Sequence, residues 1–451
     1  MGKKDKWLLD STDGQYDKLF EAVTREANEK YPGKVFSGGA ECMRVVCIPV
    51  PAFSVRYLFQ QDGFPLGRFT MLVGERESCK SALGYEIMSW HGKIPGGGGV
   101  MVPTENKDAP ELFRSIVGYN HPRMRIQESC STSAEWMAVT NMWIKQFQSY
   151  MGGTKKDPGP GRKAPIAFLV DSLTANLTAG QYEDLHKAGT PAKHFAELAF
   201  ELTDYIKYVT QSIKGYPFSL IGINHLKVSQ EKVGMFMKNI RKVGGGETLK
   251  FFETTEIEMR RMGGTAPEKQ IDRIKDNEQG IPLDIIIHKN SLAPHERISV
   301  EMLWWTDYAD RDPAGHFRQK TIFDWHSASI EILAELLKGE GVKAKRLREV
   351  IDLTVSTDSR TASSVLLGIG PKSKVKYREA GQILEEKLQS DEEFRNALYA
   401  ETGIRRRYLF QPDVDYPEQI ARAVRLAAGE PVEANENKLV EEVLGEVAQV
   451  E

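Results

Sequence analysis

The chain has 451 residues, 41% of them hydrophobic and 27% charged, with a formal net charge of −3 at pH 7. That length holds two or three domains and at least one large core, and the composition is ordinary for a soluble globular protein. The near-neutral balance excludes a global polycation, so any affinity for nucleic acid must come from a local patch. No apolar run is long enough to cross a bilayer, no signal peptide is evident, and "MGKKDK" lacks the Ser or Thr of a myristoylation signal. Four cysteines, Cys42, Cys47, Cys79 and Cys130, form neither metal-type pairs nor a dense framework, which predicts a reducing cytosol.

In chain order, the stretch 12–30 carries Leu19, Phe20, Val23 and Ala27 at helical spacing and is stopped by "YPGK". "GFPLGRFTMLVG" reads as a turn feeding a buried strand that ends at Gly74, and 80–91 as a helix. A second apolar strand, "VMVPTE", ends at Glu105, and "APELFRSIVGYN" is a helix opened by Pro110. "SAEWMAVTNMWIKQFQSYM" is another helix, "GGTKKDPGPGRKAP" a polar loop, and "IAFLVDS" a third strand ending in Asp171 and Ser172. A long helix near 193–214 leads to the strand "FSLIGINH". Continuously apolar strands separated by helices predict an α/β fold with a mostly parallel sheet covered on both faces. Past about residue 330, amphipathic segments such as "SIEILAELLKGE" and "REAGQILEEKLQ" predict a small, mostly helical C-terminal domain ending in an acidic tail, 433–451.

In "MLVGERESCKSALGYE", Gly74, Lys80 and Ser81 stand in register with the phosphate-loop pattern G-x-x-x-x-G-K-[ST]. Glu75, Arg76, Glu77 and Ser78 fill the loop, and Cys79 takes the place of the second glycine. Backbone N–H groups of such a loop and the first helical turn point at phosphates. Lys80 is expected to meet the terminal phosphates and Ser81 to hold Mg²⁺. The Cβ of Cys79 is tolerable if the residue sits at negative φ with its side chain turned away. A thiol beside a lysine at a helix start is also expected to have a lowered pKa and to react readily unless ATP covers it. Asp171 fits a carboxylate that orients Mg²⁺, Glu105 a general base for water, and Asn224 with His225 a further pair on the ligand-binding edge of an open α/β sheet. Polar strand ends also arise simply because they meet solvent; three of them beside a phosphate loop predict an ATP site.

The pieces "GFPLGRFTMLVGERESCKS", "VMVPTEN", "IAFLVDSLTA", "LIGINHLK", "GGGETLKFF", "EIEMRRM" and "HKNSLAP" resemble the RecA family of recombinases, in the family's order, across roughly residues 35 to 305. The "INH" run and the bulky residue before Lys80 look more like the phage UvsX type than bacterial RecA. The resemblance implies a RecA-type core at 51–330, an N-terminal oligomerisation segment at 1–50 and a C-terminal domain at 331–451. It makes Gly74, Lys80 and Ser81 the phosphate and Mg²⁺ ligands, Glu105 the catalytic glutamate, and Asp171 with Ser172 the pair that ends the third strand. It puts His225 at the position that senses the γ-phosphate, and Lys289 among the basic residues that reach a neighbouring subunit's ATP, with Ser291 where bacterial RecA has a second lysine.

Between "INH" and "GGGETLKFF" the chain sets Met235, Phe236 and Met237 among Lys227, Lys232, Lys238, Arg241 and Lys242, and then continues into Gly244, Gly245 and Gly246. Cations at this spacing could neutralise phosphates while the apolar tip stacks on bases, and the glycines offer open N–H groups. By resemblance this is the second DNA-binding loop; a solvated basic loop with a small satellite core is the plainer reading. The first DNA loop falls near "TAGQYEDLHKAGTPAK", and "GIRRRYLF", with Arg405, Arg406 and Arg407, is either a duplex contact or a solvated face. The expected function is an ATP-dependent recombinase in the bacterial cytoplasm, phage-encoded on the UvsX likeness, and away from any membrane. It would form a helical homo-oligomeric filament on single-stranded DNA and pair it with double-stranded DNA, with single-strand-binding and mediator proteins as further partners. A hexameric helicase with the same core, and a weakly hydrolysing ATP-gated filament protein, are the alternatives.

Overall fold

The computed structural model describes residues 45–105, 110–118, 122–127, 130–152, 164–188, 197–213, 216–233, 236–244, 249–262, 279–294, 296–311 and 314–409. All of them belong to the compact unit that begins at Val45. The helix expected at 12–30, most of the segment 1–50 and the acidic tail lie outside the described residues.

The chain enters through β1 (Val46–Pro49), α1 (Phe53–Phe59) and β2 (Gly63–Pro65), and then β3 (Arg68–Gly74) runs to the phosphate loop and α2 (Lys80–Lys93). Next come β4 (Gly98–Pro103), α3 (Pro110–Val117), β5 (Met124–Ile126), α4 (Ser133–Gly152), β6 (Ile166–Asp171), α5 (Ala179–Ala188) and α6 (Glu197–Ser212). A hairpin of β7 (Phe218–Val233) and β8 (Phe236–Val243) follows, then α7 (Leu249–Phe252), β9 (Thr255–Arg261), β10 (Gln279–Asn290), β11 (Arg297–Arg311) and β12 (Phe317–Phe323).

These strands form a ten-stranded sheet in the order β12-β11-β10-β9-β3-β7-β6-β4-β5, with β8 paired to β7 alone. From β9 to β5 every pairing is parallel, because each connection crosses over through a helix. From β9 to β12 the chain turns back on itself and the pairing is antiparallel. The expected mostly parallel, helix-flanked sheet is therefore present, extended by an antiparallel meander. That meander was not among the strands read one by one from the sequence.

Alternation along the sheet divides its side chains between two cores. Leu72, Leu169, Ile223, Ile257 and Ile285 face α2 and α3, packing with Leu83, Ile87, Trp90 and Phe113. Phe69, Met71, Val73, Phe168 and Leu220 face the other way, onto Trp136 of α4 and Leu202 and Ile206 of α6. Trp90 and Trp136 are 2% and 0% exposed, and burying a side chain of this size contributes upwards of about 2 kcal/mol. Both faces are dry, which is why the central strands read as unbroken apolar runs.

The C-terminal part comprises α8 (Trp325–Lys338), α9 (Val342–Val350), the small sheet β13 (Thr354–Ser356), β14 (Thr361–Ser363) and β15 (Val375–Lys376), then α10 (Tyr377–Ser390) and α11 (Glu392–Thr402). It builds a third core from Leu333, Leu347, Ile369, Leu384 and Leu398, into which Phe53 of α1 also packs. The predicted amphipathic helices are both there. The last strand among the described residues, β16 (Tyr408–Leu409), adds parallel to β1. The Arg405–Arg407 run leads directly into it: Arg407 bonds Asp62, Gln61 and the Leu292 carbonyl, and Arg406 pairs with Asp62 at 3.5 Å. Arg406 and Arg407 are thus tied to the core beside β16 rather than forming an open cationic face.

Candidate nucleotide-binding site

The parallel strands β3, β4 and β6 end at one edge of the sheet, with their candidate residues at or just past those ends; Asn224 and His225, expected to end their strand, instead lie within β7 where it crosses that edge and continues to Val233. In register, Gly74 stands beside His225, and Pro103 beside Asp171.

The loop closes tightly after Gly74. A Cβ there would collide with Ser78 Oγ and stand 2.6 Å from the Met259 carbonyl, so only glycine fits. Ser78 Oγ donates to the Glu75 carbonyl at 2.9 Å, and Lys80 Nζ donates to the same carbonyl at 2.6 Å. The ammonium of Lys80 is thus folded into the mouth of the loop, where burial lowers its pKa against the pull of Asp171 and Glu105. Glu75, Arg76 and Glu77 are exposed on the rim. Helix α2 starts without a side-chain cap, and the amides of its first turn have no intrahelical acceptors.

Two expectations for Cys79 are corrected. It is not at negative φ: its backbone is left-handed, with φ 63° and ψ 24°, the conformation that glycine adopts without strain. Nor is the thiol activated. Its side chain packs against the apolar cluster under α2, and burial pushes its pKa up to about 11, outweighing the opposite influence of Arg261 and Lys80. A helix start lowers a thiol pKa only when the sulfur faces the amides and solvent; this one is turned inward.

Behind the loop, Ser81 Oγ donates to Asp171 Oδ2 at 2.5 Å. Burial raises the Asp171 pKa and nearby Glu105 adds to it, while the Ser81 hydroxyl, Lys80 and His225 act the other way. Glu105 lies two residues past the end of β4 rather than on it. Its Oε1 accepts from Ser172 Oγ at 3.0 Å and from His225 Nε2 at 2.7 Å. Thr104 pins this corner: its amide donates to the Asp171 carbonyl and its hydroxyl to the Ser172 carbonyl, each at 2.6 Å. The structure thereby brings Lys80, Ser81, Glu105, Asp171, Ser172 and His225 into one cluster. Thr104 was visible inside "VMVPTEN" but carried no chemistry to single it out. Arg261, which approaches Glu77 at 3.9 Å, was likewise missed within "EIEMRRM".

Mg²⁺ prefers hard oxygen donors and keeps several waters or phosphate oxygens. The Ser81 hydroxyl beside the Asp171 carboxylate fits that requirement. Among the described residues no group of three or more His, Cys, Asp or Glu side chains could hold a metal by itself.

Lys289 is not brought to this cluster. It pairs with Glu256, which pairs with Met71, three residues before Gly74 and therefore about 10 Å below the loop. Its ammonium donates to the Lys250 carbonyl.

The segment read as the second DNA loop is a β-hairpin: Lys232 lies on β7, and Phe236, Lys238, Arg241 and Lys242 on β8, in register from Leu226–Val243 to Val233–Phe236. Met235, Gly245 and Gly246 lie outside the described residues. At the base of the hairpin, buried Asn224 donates from Nδ2 to the Gly244 carbonyl at 2.8 Å and accepts from the Thr174 hydroxyl at 3.1 Å. The base of the hairpin is thus hydrogen-bonded to the residue preceding His225. The segment read as the first DNA loop begins as helix α5 rather than loop, and 189–196 lie outside the described residues.

A strand–loop–helix turn with the spacing of a phosphate loop, a carboxylate at the end of β6 and a carboxylate–histidine pair stand together on one edge of a RecA-type α/β core. Among known proteins the chain is similar to RecA of Chlamydia abortus, 25% identical over 255 residues, 55% of this chain and 62% of that protein. It is 23% identical over 264 residues to RecA of Rhodopirellula baltica, covering 58% and 61% of the two chains. RecA of Teredinibacter turnerae is 21% identical over 287 residues, 62% of this chain and 73% of that one. The similarity supports the RecA family at a distance. The chain spans about three-fifths of the length of the first two relatives, and no family model matches it. Among the described residues no helix is long and apolar enough to cross a membrane.

Proposed function

We propose that the chain is an ATP-dependent DNA recombinase that assembles as a helical filament on single-stranded DNA and promotes pairing and strand exchange with a homologous duplex. The observation that carries this reading is the shared contact of Glu105 with His225 and Ser172, set beside Lys80, Ser81 and Asp171 and tied through Asn224 to the base of the basic hairpin.

In this reading the loop amides and Lys80 hold the β- and γ-phosphates, and Ser81 with Asp171 holds Mg²⁺. When bound, Mg²⁺ neutralises phosphate charge and polarises the γ-phosphoryl group. Glu105, oriented by the two hydrogen bonds to its Oε1, takes the proton from the attacking water. His225 Nε2–H donates to Glu105, and a γ-phosphate would compete for that donor. Arrival or loss of the phosphate therefore shifts His225, and its neighbour Asn224 relays the shift to Gly244 and the hairpin, the two-state element that grips DNA. Lys289, on β10 and apart from this cluster, completes the ATP site of a neighbouring subunit. The finer likeness to UvsX-type phage recombinases rests on His225 after Ile223 and Asn224, and on Cys79 before Lys80. The proposal extends to a bacterial cytoplasm, a phage source and a division into ATPase core and C-terminal domain near residue 330.

Steady-state ATP hydrolysis with and without poly(dT), together with electron microscopy of the same mixtures, tests the reading. Hydrolysis should rise with poly(dT) and filaments should appear. Lys80→Ala should abolish nucleotide binding. Glu105→Gln should keep nucleotide binding while lowering kcat by roughly 10²–10⁴-fold. Closed rings would point to a helicase, and a Glu105→Gln variant at wild-type rate would remove Glu105 as the base.

A further inference from the structure

Strand β10 contains an irregularity at the residue before Lys289. Leu283, Ile285 and Ile287 all belong to the core beneath α2 and α3, so strict alternation would turn Lys289 to the same buried face, opposite Thr255. It does not go there. Ile287 pairs with Ile257, but Lys289 pairs with Glu256, so β10 advances two residues where β9 advances one, and His288 is the extra residue. This β-bulge carries Lys289 across to the face of Glu256 and Glu258, where its ammonium donates to the Lys250 carbonyl of α7. Asn290 takes the place opposite Thr255 instead, and its Nδ2 donates to the Phe59 carbonyl at 3.0 Å.

A buried carboxylate holds the extra residue. His288 Nε2 bonds Glu258 Oε2 at 2.5 Å, and Arg260 donates to both oxygens of the same carboxylate, from Nε at 2.5 Å and from Nη2 at 2.8 Å. Glu258 is 4% exposed; burial opposes its charge, but the bonds from Arg260 and His288 outweigh burial and lower its pKa. An ionised carboxylate only accepts, so the ring nitrogen facing it carries the proton. Such charge-assisted bonds are the strong ones, and with Glu258 clamped by Arg260 the ring of His288 has a fixed acceptor.

We propose that His288 is a positioning residue for Lys289: its bond to Glu258 holds the bulge that turns the ammonium off the core face and presents it to a triphosphate bound by the next subunit. This rests on the reading above that Lys289 serves a neighbour's ATP. Lys289 supplies the charge, and His288 decides where that charge stands. Without the ring the bulge loses its anchor, the strand relaxes towards regular pairing, and the ammonium leaves its place. Glutamine keeps an N–H donor for the carboxylate, so it holds the bulge where alanine does not.

The test uses the full chain with poly(dT), ATP and Mg²⁺, and reads kcat and KM for ATP in His288→Ala, His288→Gln, Lys289→Ala and the His288→Ala, Lys289→Ala double variant. Lys289→Ala and His288→Ala should both lower kcat/KM, the second by roughly ten- to a hundredfold, the cost of misplacing a group at the reaction by about 1 Å. His288→Gln should recover most of that loss. The double variant should be no worse than Lys289→Ala, because His288 acts only through the lysine. His288→Phe, which keeps a ring and loses the donor, serves in place of alanine if His288→Ala melts below wild type. Losses that multiply in the double variant, a glutamine variant as weak as alanine, or a His288→Ala at the wild-type rate overturn the inference and leave the recombinase reading standing. Lys289→Ala with wild-type kcat and KM removes the reading of Lys289, and the inference with it.

Discussion

Cys79 is the residue at which the phosphate loop departs from its pattern, and its left-handed backbone makes a prediction whose sign is diagnostic. Alanine and glycine at this position differ by one Cβ, and both remove the thiol. A Cβ in the left-handed region costs about 1–2 kcal/mol, and glycine gives back about 0.4–1 kcal/mol through its freer unfolded chain. With φ at 63°, Cys79→Gly should therefore be more stable than Cys79→Ala by roughly 0.5–1 kcal/mol. At a right-handed helical position the order reverses, glycine being about 1 kcal/mol worse than alanine. Cys79→Val, β-branched, should fall below alanine. Urea unfolding followed by tryptophan fluorescence reports the difference, because Trp90 on the adjoining α2 is 2% exposed. The same series should bind ATP in the order Gly, Ala, Val if the loop must hold this shape to present its amides. Alanine more stable than glycine by about 1 kcal/mol would refute the left-handed assignment and the account of why glycine is usual there. In the native protein the wild-type thiol should also resist maleimide at neutral pH, its pKa lying near 11.

Two predictions concern the scaffold. His91 is fully buried, with Nδ1–H donating to the Ile87 carbonyl and Nε2 accepting from the Ser219 hydroxyl, and burial lowers its pKa to about 4. A depressed histidine pKa stabilises the fold fully above the ordinary value near 6.5. That stability, about 3 kcal/mol in all, is lost as pH falls towards 4. His91→Gln should lack this component in melting curves, and parallel curves for the two proteins would contradict it. Arg56 of α1 grips Glu385 of α10 through two hydrogen bonds, 2.9 and 2.5 Å, with both side chains 9% exposed. Removing one partner leaves the other charge buried and unpaired, so Arg56→Met should lose about 3–5 kcal/mol in urea unfolding. A loss below about 1 kcal/mol would mean that the pair is solvated and does not join the C-terminal helices to the core.

The sequence by itself determined the kind of fold and the composition of the candidate site. Unbroken apolar strands alternating with helical spacing can be satisfied only by a sheet buried on both faces, and Gly74, Lys80 and Ser81 stand at loop spacing whatever the rest of the chain does. Glu105, Asp171 and His225 were legible as polar residues following apolar runs that reach one edge of a parallel sheet, although only Asp171 ends its strand, Glu105 lying two residues past β4 and His225 inside β7. Three things were decided only when the chain packed. The direction in which Cys79 points depends on what lies under α2, and burial there reversed both its expected backbone and its expected reactivity. The basic stretch after His225 became a hairpin because β7 continues past the sheet and pairs with β8, a contact between residues far apart in any local pattern. Arg406 and Arg407 look like a free cationic run until β16 docks on β1 and brings Asp62 and Gln61 to them. Local periodicity reports which residues seek the interior, whereas burial, pairing and charge compensation belong to neighbours that arrive from elsewhere in the chain.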